Sequence, residues 1–208
     1  MSGVVIIGAG GQGRLIADAL ISQSITVHGF IDPHFDVGSV IGGIPVLGDD
    51  SWLKNNTGLR VAVGIGATRS ITQRRSLYER LANFEVVGCI HNSTITGTAV
   101  QIHSSAQIMA NCLINHSSEI QENVVVHSGS IVEHDAIIGA HSYLSPRVTL
   151  CGSVRIEEGV FVGASSTIIQ NVSVGHGAVI AAGSVVTRNV LPKTLVMGVP
   201  ARIVESLE

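Results

Sequence analysis

The sequence predicts a small α/β domain with a Rossmann-like parallel sheet, followed by a parallel β-helix of hexapeptide repeats. Two interlocked columns and one glycine loop carry that expectation. From Ile102 every sixth residue is aliphatic: Ile108, Ile114, Ile120, Val126, Val132, Ile138, Leu144, Leu150, Ile156, Val162, Ile168, Val174, Ile180 and Val186. Two positions before each stands a small or β-branched residue, from Val100 through Ala106, Cys112 and Ser118 to Ser184. A six-residue period is the mark of a parallel β-helix, with one short strand per hexad. Three hexads close a triangular coil, so residues 101–190 make about five coils. The large aliphatic points inward, and the small residue fits the corner. Each buried aliphatic stabilises the stack by roughly 1.5–3 kcal/mol. Corners at Gly129, Gly139, Gly159, Asn171, Gly177, Gly183 and Asn189 are where positive φ is expected.

Residues 1–90 lack this period. Val4–Ile7 reads as a strand, followed by Gly8-Ala9-Gly10-Gly11-Gln12-Gly13. Residues 14–22 read as a helix with Leu15, Ile16, Ala19 and Leu20 on one face. A second strand, Val27–Ile31, ends at Asp32-Pro33. Residues 34–50 carry turns around Ile44-Pro45-Val46-Leu47, and Ser51 is suited to cap a short helix. A third strand is expected over residues 60–64, a helix with Arg on its outer face over 70–83, and a fourth strand over 86–90. Alternating strands and helices imply a parallel sheet. The expected division is 1–90 for this domain, 91–190 for the β-helix and 191–208 for a tail packed on the last coil.

The spacing Gly8-x-Gly10-x-x-Gly13, with Asp32 nineteen residues on, matches a dinucleotide fingerprint, in which the acid meets a ribose hydroxyl. Backbone N–H groups at the helix start suit a phosphate. A domain of about ninety residues is only half a dinucleotide fold, which disfavours NAD. A different nucleotide ligand and a purely structural turn are the other two readings.

Composition narrows the function. A net charge of −3 argues against a nucleic-acid partner. Cys89, Cys112 and Cys151 are too few and too scattered for a disulfide framework, which fits a reducing cytoplasm. Val4–Ile7 is too short to span a bilayer, and neither a basic leader nor a cleavage site is expected at the start, so no membrane partner is expected.

Nine histidines are present, and His127, His134 and His141 stand seven apart, so they share no row. His116 and His134 are one coil apart and stack. A zinc site is the rival reading there, weakened because the third stacked position is Gly152. His91 is read as structural, and His141 and His176 as solvated corner residues. A histidine beside a carboxylate, as in His134-Asp135, suits general base catalysis. No Ser–His–Asp or Cys–His nucleophile is evident, which favours direct attack in a ternary complex over a covalent intermediate. A non-catalytic scaffold is the reading from another class.

The glycine loop, the unbroken hexads, Val132-Glu133-His134-Asp135, Ser145-Pro146 and the Gly198-Val199-Pro200-Ala201 tail together resemble the sugar O/N-acyltransferases of the sialic-acid O-acetyltransferase type. Within that family the chain looks most like the N-acetyltransferases of UDP-4-amino-4,6-dideoxy sugars, the bacillosamine pathway enzymes. The resemblance implies a left-handed helix, a cytoplasmic homotrimer with sites between neighbouring prisms, and acetyl-CoA as co-substrate without a metal. It implies N-acetylation of a nucleotide-linked 4-amino sugar, UDP-linked first, in bacterial surface glycan biosynthesis. O-acetylation of sialic acid or another sugar is the alternative.

Carried over by position, the resemblance implies His134 as the base and Asp135 as its acidic partner. Tyr143 falls where some relatives place a histidine on the acyl-CoA. Gly152 falls at a backbone donor near the thioester, and Ala164 and Ala182 line the CoA groove. Gly10, Gly11 and Gln12 match the loop holding the nucleotide sugar, with Asp32, Pro33 and Gly66 as further contacts. His127 stands near the acceptor sugar, where relatives often have Asn.

Overall fold

The computed structural model describes residues 3–207. Its N-terminal part runs β1 (Val4–Ile7), α1 (Gly11–Ser22), β2 (Val27–Ile31), β3 (Val40–Ile41), β4 (Ile44–Gly48), α2 (Asp50–Lys54), β5 (Arg60–Val63), α3 (Thr72–Arg80) and β6 (Glu85–Val86). These strands form one sheet in the order β3-β4-β2-β1-β5-β6, parallel except where β3 folds back on β4. The central strands β1 and β5 are apolar, apart from Arg60 at the start of β5, because both of their faces are covered.

Several local expectations are corrected. The segment 40–48, read as turns, supplies two strands, since Ile44 and Val46 are buried against β2. Asp49, not Ser51, caps α2: its carboxylate accepts from the Ser51 N–H at 2.8 Å. Leu15 is exposed, while Gln12 and Ala17 complete the buried face of α1. In α3 the arginines do not all face outward, because Arg74 is 1% exposed. The fourth strand divides. Val86 pairs with β5, whereas Cys89–Ile90 pairs with Gln107–Ile108 and begins the solenoid.

The remainder is a left-handed parallel β-helix of two-residue strands recurring every six residues from Cys89 to Val186. It therefore starts two hexads earlier than the aliphatic column suggests. The first face stacks strands from Cys89–Ile90 through Val125–Val126 and Tyr143–Leu144 to Val179–Ile180. The second runs from Ile95–Thr96 through Ile131–Val132 to Val185–Val186, and the third from Gln101–Ile102 through Ile137–Ile138 to Ser173–Val174. Strands eighteen residues apart are in register on each face, as Ile131 on Thr149. The whole inward column from Ile108 to Val186 is 0–2% exposed, and the small column between Ala106 and Ser184 is buried with it. Ile102, at the open end, is half-buried and packs on the same core.

A third column explains the corners. From Asn111 to Gly183 every sixth residue has φ between 53° and 73°. Most are Ser, Asn, Asp, His or Arg rather than Gly, so the left-handed corner is carried mainly by side-chain-bearing residues. Gly139 and Asn189 are not in this column. A Cβ on Gly139 would come within 2.7 Å of the Glu157 backbone, so there the demand is space. The Asn189 side chain instead accepts from the Ser173 N–H at 2.9 Å. Thr194–Gly198 adds to the first face, and Ala201–Ser206 folds back antiparallel on it. Among the described residues no helix is long and apolar enough to cross a membrane.

Candidate active site

The glycine loop joins β1 to α1 and lines one cavity. Gly8 has φ +107°, and a Cβ on Gly13 would lie 1.9 Å from the Gly8 carbonyl oxygen. Both positions require glycine, which lets α1 start tight against the sheet. Gly10 and Gly11 have open space where a side chain would stand. Together with Gln12, Asp32, His34 and residues 64–68 they surround about 630 Å³. The structure thus brings Gly10, Gly11, Gln12, Asp32 and Gly66 to one place. Pro33 lines the adjoining cavity, which shares Asp32 and His34.

Asp32 is differently employed from the ribose contact its spacing suggests. One carboxylate oxygen accepts from the Ala9 N–H at 2.9 Å, and the other from the His34 N–H at 2.9 Å, with the His34 ring at 3.0 Å. Burial pushes this carboxyl up, and the bonds from Ala9 and His34 outweigh it, leaving it below the ordinary carboxylate value. Its charge is spent largely on fixing the loop, and His34 stands at the cavity mouth.

Beneath the cavity a polar chain crosses to the first face of the solenoid. Gln12 donates to Gln107 Oε1 at 3.3 Å, and the Tyr143 hydroxyl lies 3.5 Å from Gln12 Oε1. The same hydroxyl is 2.5 Å from His127 Nε2. Tyr143 is 6% exposed and stacks on Phe161 at 5.7 Å between centroids. The ring therefore sits in the contact between the N-terminal sheet domain and the first face of the solenoid.

Burial first, and the Arg74 charge second, push His127 down to about 4. The native chain then holds fewer protons than the unfolded one between pH 4 and 6.5, so this contribution is complete above 6.5 and lost as pH falls. The melting temperature is expected to drop between pH 7.5 and 5, and His127→Asn to flatten part of that slope. Thermal scans at both values check it, and equal slopes in the two proteins contradict it. His141, expected at a solvated corner, is instead 6% exposed beneath α3, its Nδ1 2.9 Å from the Asn123 amide and its ring edge-on to Tyr78.

A second constellation lies at the corner between the second and third faces. His134 Nδ1 is 2.8 Å from Asp135 Oδ2, and both side chains are more than half exposed. Asp135 belongs to the positive-φ column, which turns its carboxylate back along the chain toward the imidazole. Gly152 is one coil along. A Cβ there would lie 2.6 Å from His134 Cε1 and Nε2, so the ring rests in the space that glycine leaves. The Gly152 N–H donates to no backbone carbonyl among the described residues. His116, in the preceding coil, is bound through Nδ1 to Thr98 Oγ1 at 2.7 Å. Among the described residues no three His, Cys, Asp or Glu side chains are grouped to hold a metal. Cys89 and Cys112 are buried, which pushes their thiols up to about 12 and about 11, so neither supplies a thiolate.

Ala164 and Ala182 stack one coil apart at a different corner, between the first and second faces, on the side of His127. One chain therefore carries the His134 corner and the alanine corner on opposite edges of its second face. The outward positions of that face are Ile95, Leu113, Ile131, Thr149, Thr167 and Val185, an apolar and threonine stripe. The corresponding positions of the first face, Cys89, Gln107, Val125, Tyr143, Phe161 and Val179, are largely covered by the N-terminal domain.

Sequence reasoning missed Gln107 and Arg74. Gln107 stands in an outward column with period eighteen that is otherwise apolar, which marks it as buried. Arg74 shares its helix face with Leu77 and Leu81, at positions i, i+3 and i+7, which is the inner-face pattern.

Residues 3–81 match the family described as the PglD N-terminal domain, and residues 153–188 the hexapeptide repeat of succinyl-transferase. PerB from Caulobacter crescentus, solved with CoA and GDP-perosamine, is 31% identical, with a TM-score of 0.88 over 98% of this chain and 97% of that one. The acetyltransferase domain of PglB from Neisseria gonorrhoeae is 25% identical, with a TM-score of 0.90 over 98% and 100%. Serine acetyltransferase from Salmonella typhimurium is 36% identical over 129 residues, 55% of this chain and 41% of that protein. The chain thus spans between about a fifth and two fifths of the curated relatives it matches, but nearly the whole of PerB and of the PglB acetyltransferase domain. With a PglD-type N-terminal domain, hexapeptide coils and a full-length likeness above 30% to a sugar N-acetyltransferase, the chain belongs to the hexapeptide-repeat sugar acetyltransferase family.

Proposed function

We propose that this chain transfers the acetyl group of acetyl-CoA to the 4-amino group of a nucleotide-linked 4-amino-4,6-dideoxy sugar. The observation that carries the reading is the His134 imidazole, tied at Nδ1 to Asp135 and presenting Nε2 over Gly152 at an open corner. The amine nitrogen attacks the thioester carbonyl, and His134 Nε2 takes the proton the nitrogen sheds. Asp135 holds the ring orientation and steadies the imidazolium. The Gly152 N–H is suited to donate to the oxyanion of the tetrahedral intermediate. Collapse breaks the carbon–sulfur bond, and the imidazolium returns its proton to the departing CoA sulfur.

The cavity around Gly10, Gly11 and Gln12 takes the nucleotide, with backbone N–H groups at the start of α1 facing its phosphates. Because the His134 corner and the alanine corner lie on opposite edges of one face, a homotrimer in which second faces meet would join them across each interface. The apolar stripe on that face supports this assembly. A cytoplasmic enzyme of surface glycan biosynthesis fits such a substrate.

The test is thiol release from acetyl-CoA with UDP-, GDP- and dTDP-linked 4-amino sugars, and with free sialic acid. Likeness to the GDP-perosamine enzyme is the reason to screen the GDP sugar alongside the UDP sugar. Turnover with one nucleotide amino sugar is expected. Turnover with sialic acid alone would replace the reading by O-acetylation.

A further inference from the structure

Arg74 is the largest fully buried side chain of the molecule, and among the described residues no carboxylate pairs with it. Its Nη1 donates to the Val63 carbonyl at 3.1 Å and to the Ile65 carbonyl at 2.8 Å, while Nε and Nη2 find no partner among the described residues. Burial lowers its pKa to about 10, so the guanidinium remains charged at neutral pH. A buried ion without a counter-ion is costly, and an aliphatic residue beside Leu77 and Leu81 would pack there without that cost. Stability alone does not account for an arginine at this position.

The two carbonyls it grips flank Gly64, where β5 ends and the chain turns to form one wall of the nucleotide cavity. Residues 64–68 have no ladder of their own beyond the bond from Gly64 N–H to the Ile7 carbonyl at 2.7 Å. Val63 is held from the other side by the Gln107 amide, which donates to the same carbonyl at 3.0 Å from the first face of the solenoid. Gly66 faces Tyr143 and Gln12 across this junction, and a Cβ on it would lie 3.2 Å from the Tyr143 hydroxyl. The wall is thus clamped between α3 and the β-helix, with Arg74 as the clamp on the α3 side.

We infer that Arg74 is a positioning residue for the nucleotide sugar: its guanidinium fixes the wall formed by residues 64–67, so that the cavity is shaped before substrate arrives. The inference rests on the reading of that cavity as the nucleotide site. Substrate affinity, not the chemical step, is then what the arginine controls. The His134 corner shares none of the groups that Arg74 bonds, so kcat and the KM for acetyl-CoA are expected to be independent of it.

The experiment measures binding of UDP, GDP and dTDP by calorimetry, and steady-state kinetics, for the full-length chain and for Arg74→Met and Arg74→Lys. Arg74→Met is expected to weaken the nucleotide and raise the KM for the sugar substrate by about ten-fold, as the wall loses both charge-assisted hydrogen bonds to Arg74. The KM for acetyl-CoA and kcat are expected to stay within about two-fold. Arg74→Lys, whose ammonium keeps the charge and donors but lacks the planar guanidinium that fixes their direction, is expected to recover part of the loss and serves alone should the methionine variant not fold. Nucleotide affinity equal in wild type and variants overturns the inference but leaves the nucleotide site standing. Proportional losses in both KM values and kcat, tracking a fall in melting temperature, also overturn it. A wild-type chain that binds none of the three nucleotides removes the site and the inference together.

Discussion

His134→Ala is expected to lower turnover by about two to four orders of magnitude while leaving the fold and the proposed trimer intact. The side chain is 58% exposed, so its loss empties no core, and it makes a single polar contact, to Asp135. What disappears is the proposed acceptor for the amine proton. The measurement is thiol release at saturating acetyl-CoA and sugar substrate, alongside a melting curve and a sizing column. Asp135→Asn should cost less, because the imidazole keeps Nε2 but loses the negative partner at Nδ1. Turnover retained in the alanine variant would dismiss His134 as the base.

Gly152→Ala is the second large effect, and it separates position from identity. The added Cβ would stand 2.6 Å from His134 Cε1 and Nε2. The imidazole is the end of a movable side chain, so it swings aside rather than straining the coil. Gly152 is not among the positive-φ glycines, so the backbone tolerates alanine. Stability is therefore expected to change by no more than about 0.5 kcal/mol. Turnover is expected to fall about 100-fold, because a displacement of about 1 Å at the reacting atoms costs that much. A comparison of kcat with thermal stability reads both. Full activity would mean that the ring works from another rotamer.

The two experiments probe different requirements at one corner. In the proposed mechanism His134 is the proton acceptor, and Gly152 leaves room for its ring and offers a backbone donor beside it. The sequence shows why they belong together: eighteen residues separate them, which is one coil. The same arithmetic placed His116 below His134, where Thr98 takes up its Nδ1. Stacked positions in a solenoid are thus readable in pairs before any coordinates exist.

Other placements required the packing. Tyr143 and His127 occupy positions that the resemblance assigns to ligand contacts, yet they are buried and bonded to each other at 2.5 Å. Nothing in the hexad identifies which outward column the N-terminal domain will cover. That covering turns Tyr143, Gln107 and His127 from surface residues into an interior polar chain. His141 shows the same effect: it is a corner residue by period, but α3 lies over it. Asp32 was legible as the acid after the second strand, but its commitment to the Ala9 and His34 N–H groups was not.

The sequence by itself determined the repeating architecture of this protein, because a parallel β-helix writes its interior into every sixth residue and tertiary context cannot shift that register. It also determined the glycine loop and the adjacency of His134, Asp135 and Gly152, which are local or one coil apart. Only the tertiary structure decided which face of the prism the small domain covers, that Arg74 points inward, and where the solenoid begins. Those outcomes depend on contacts between segments far apart in the chain, where burial and hydrogen-bond satisfaction, rather than period, choose the partner.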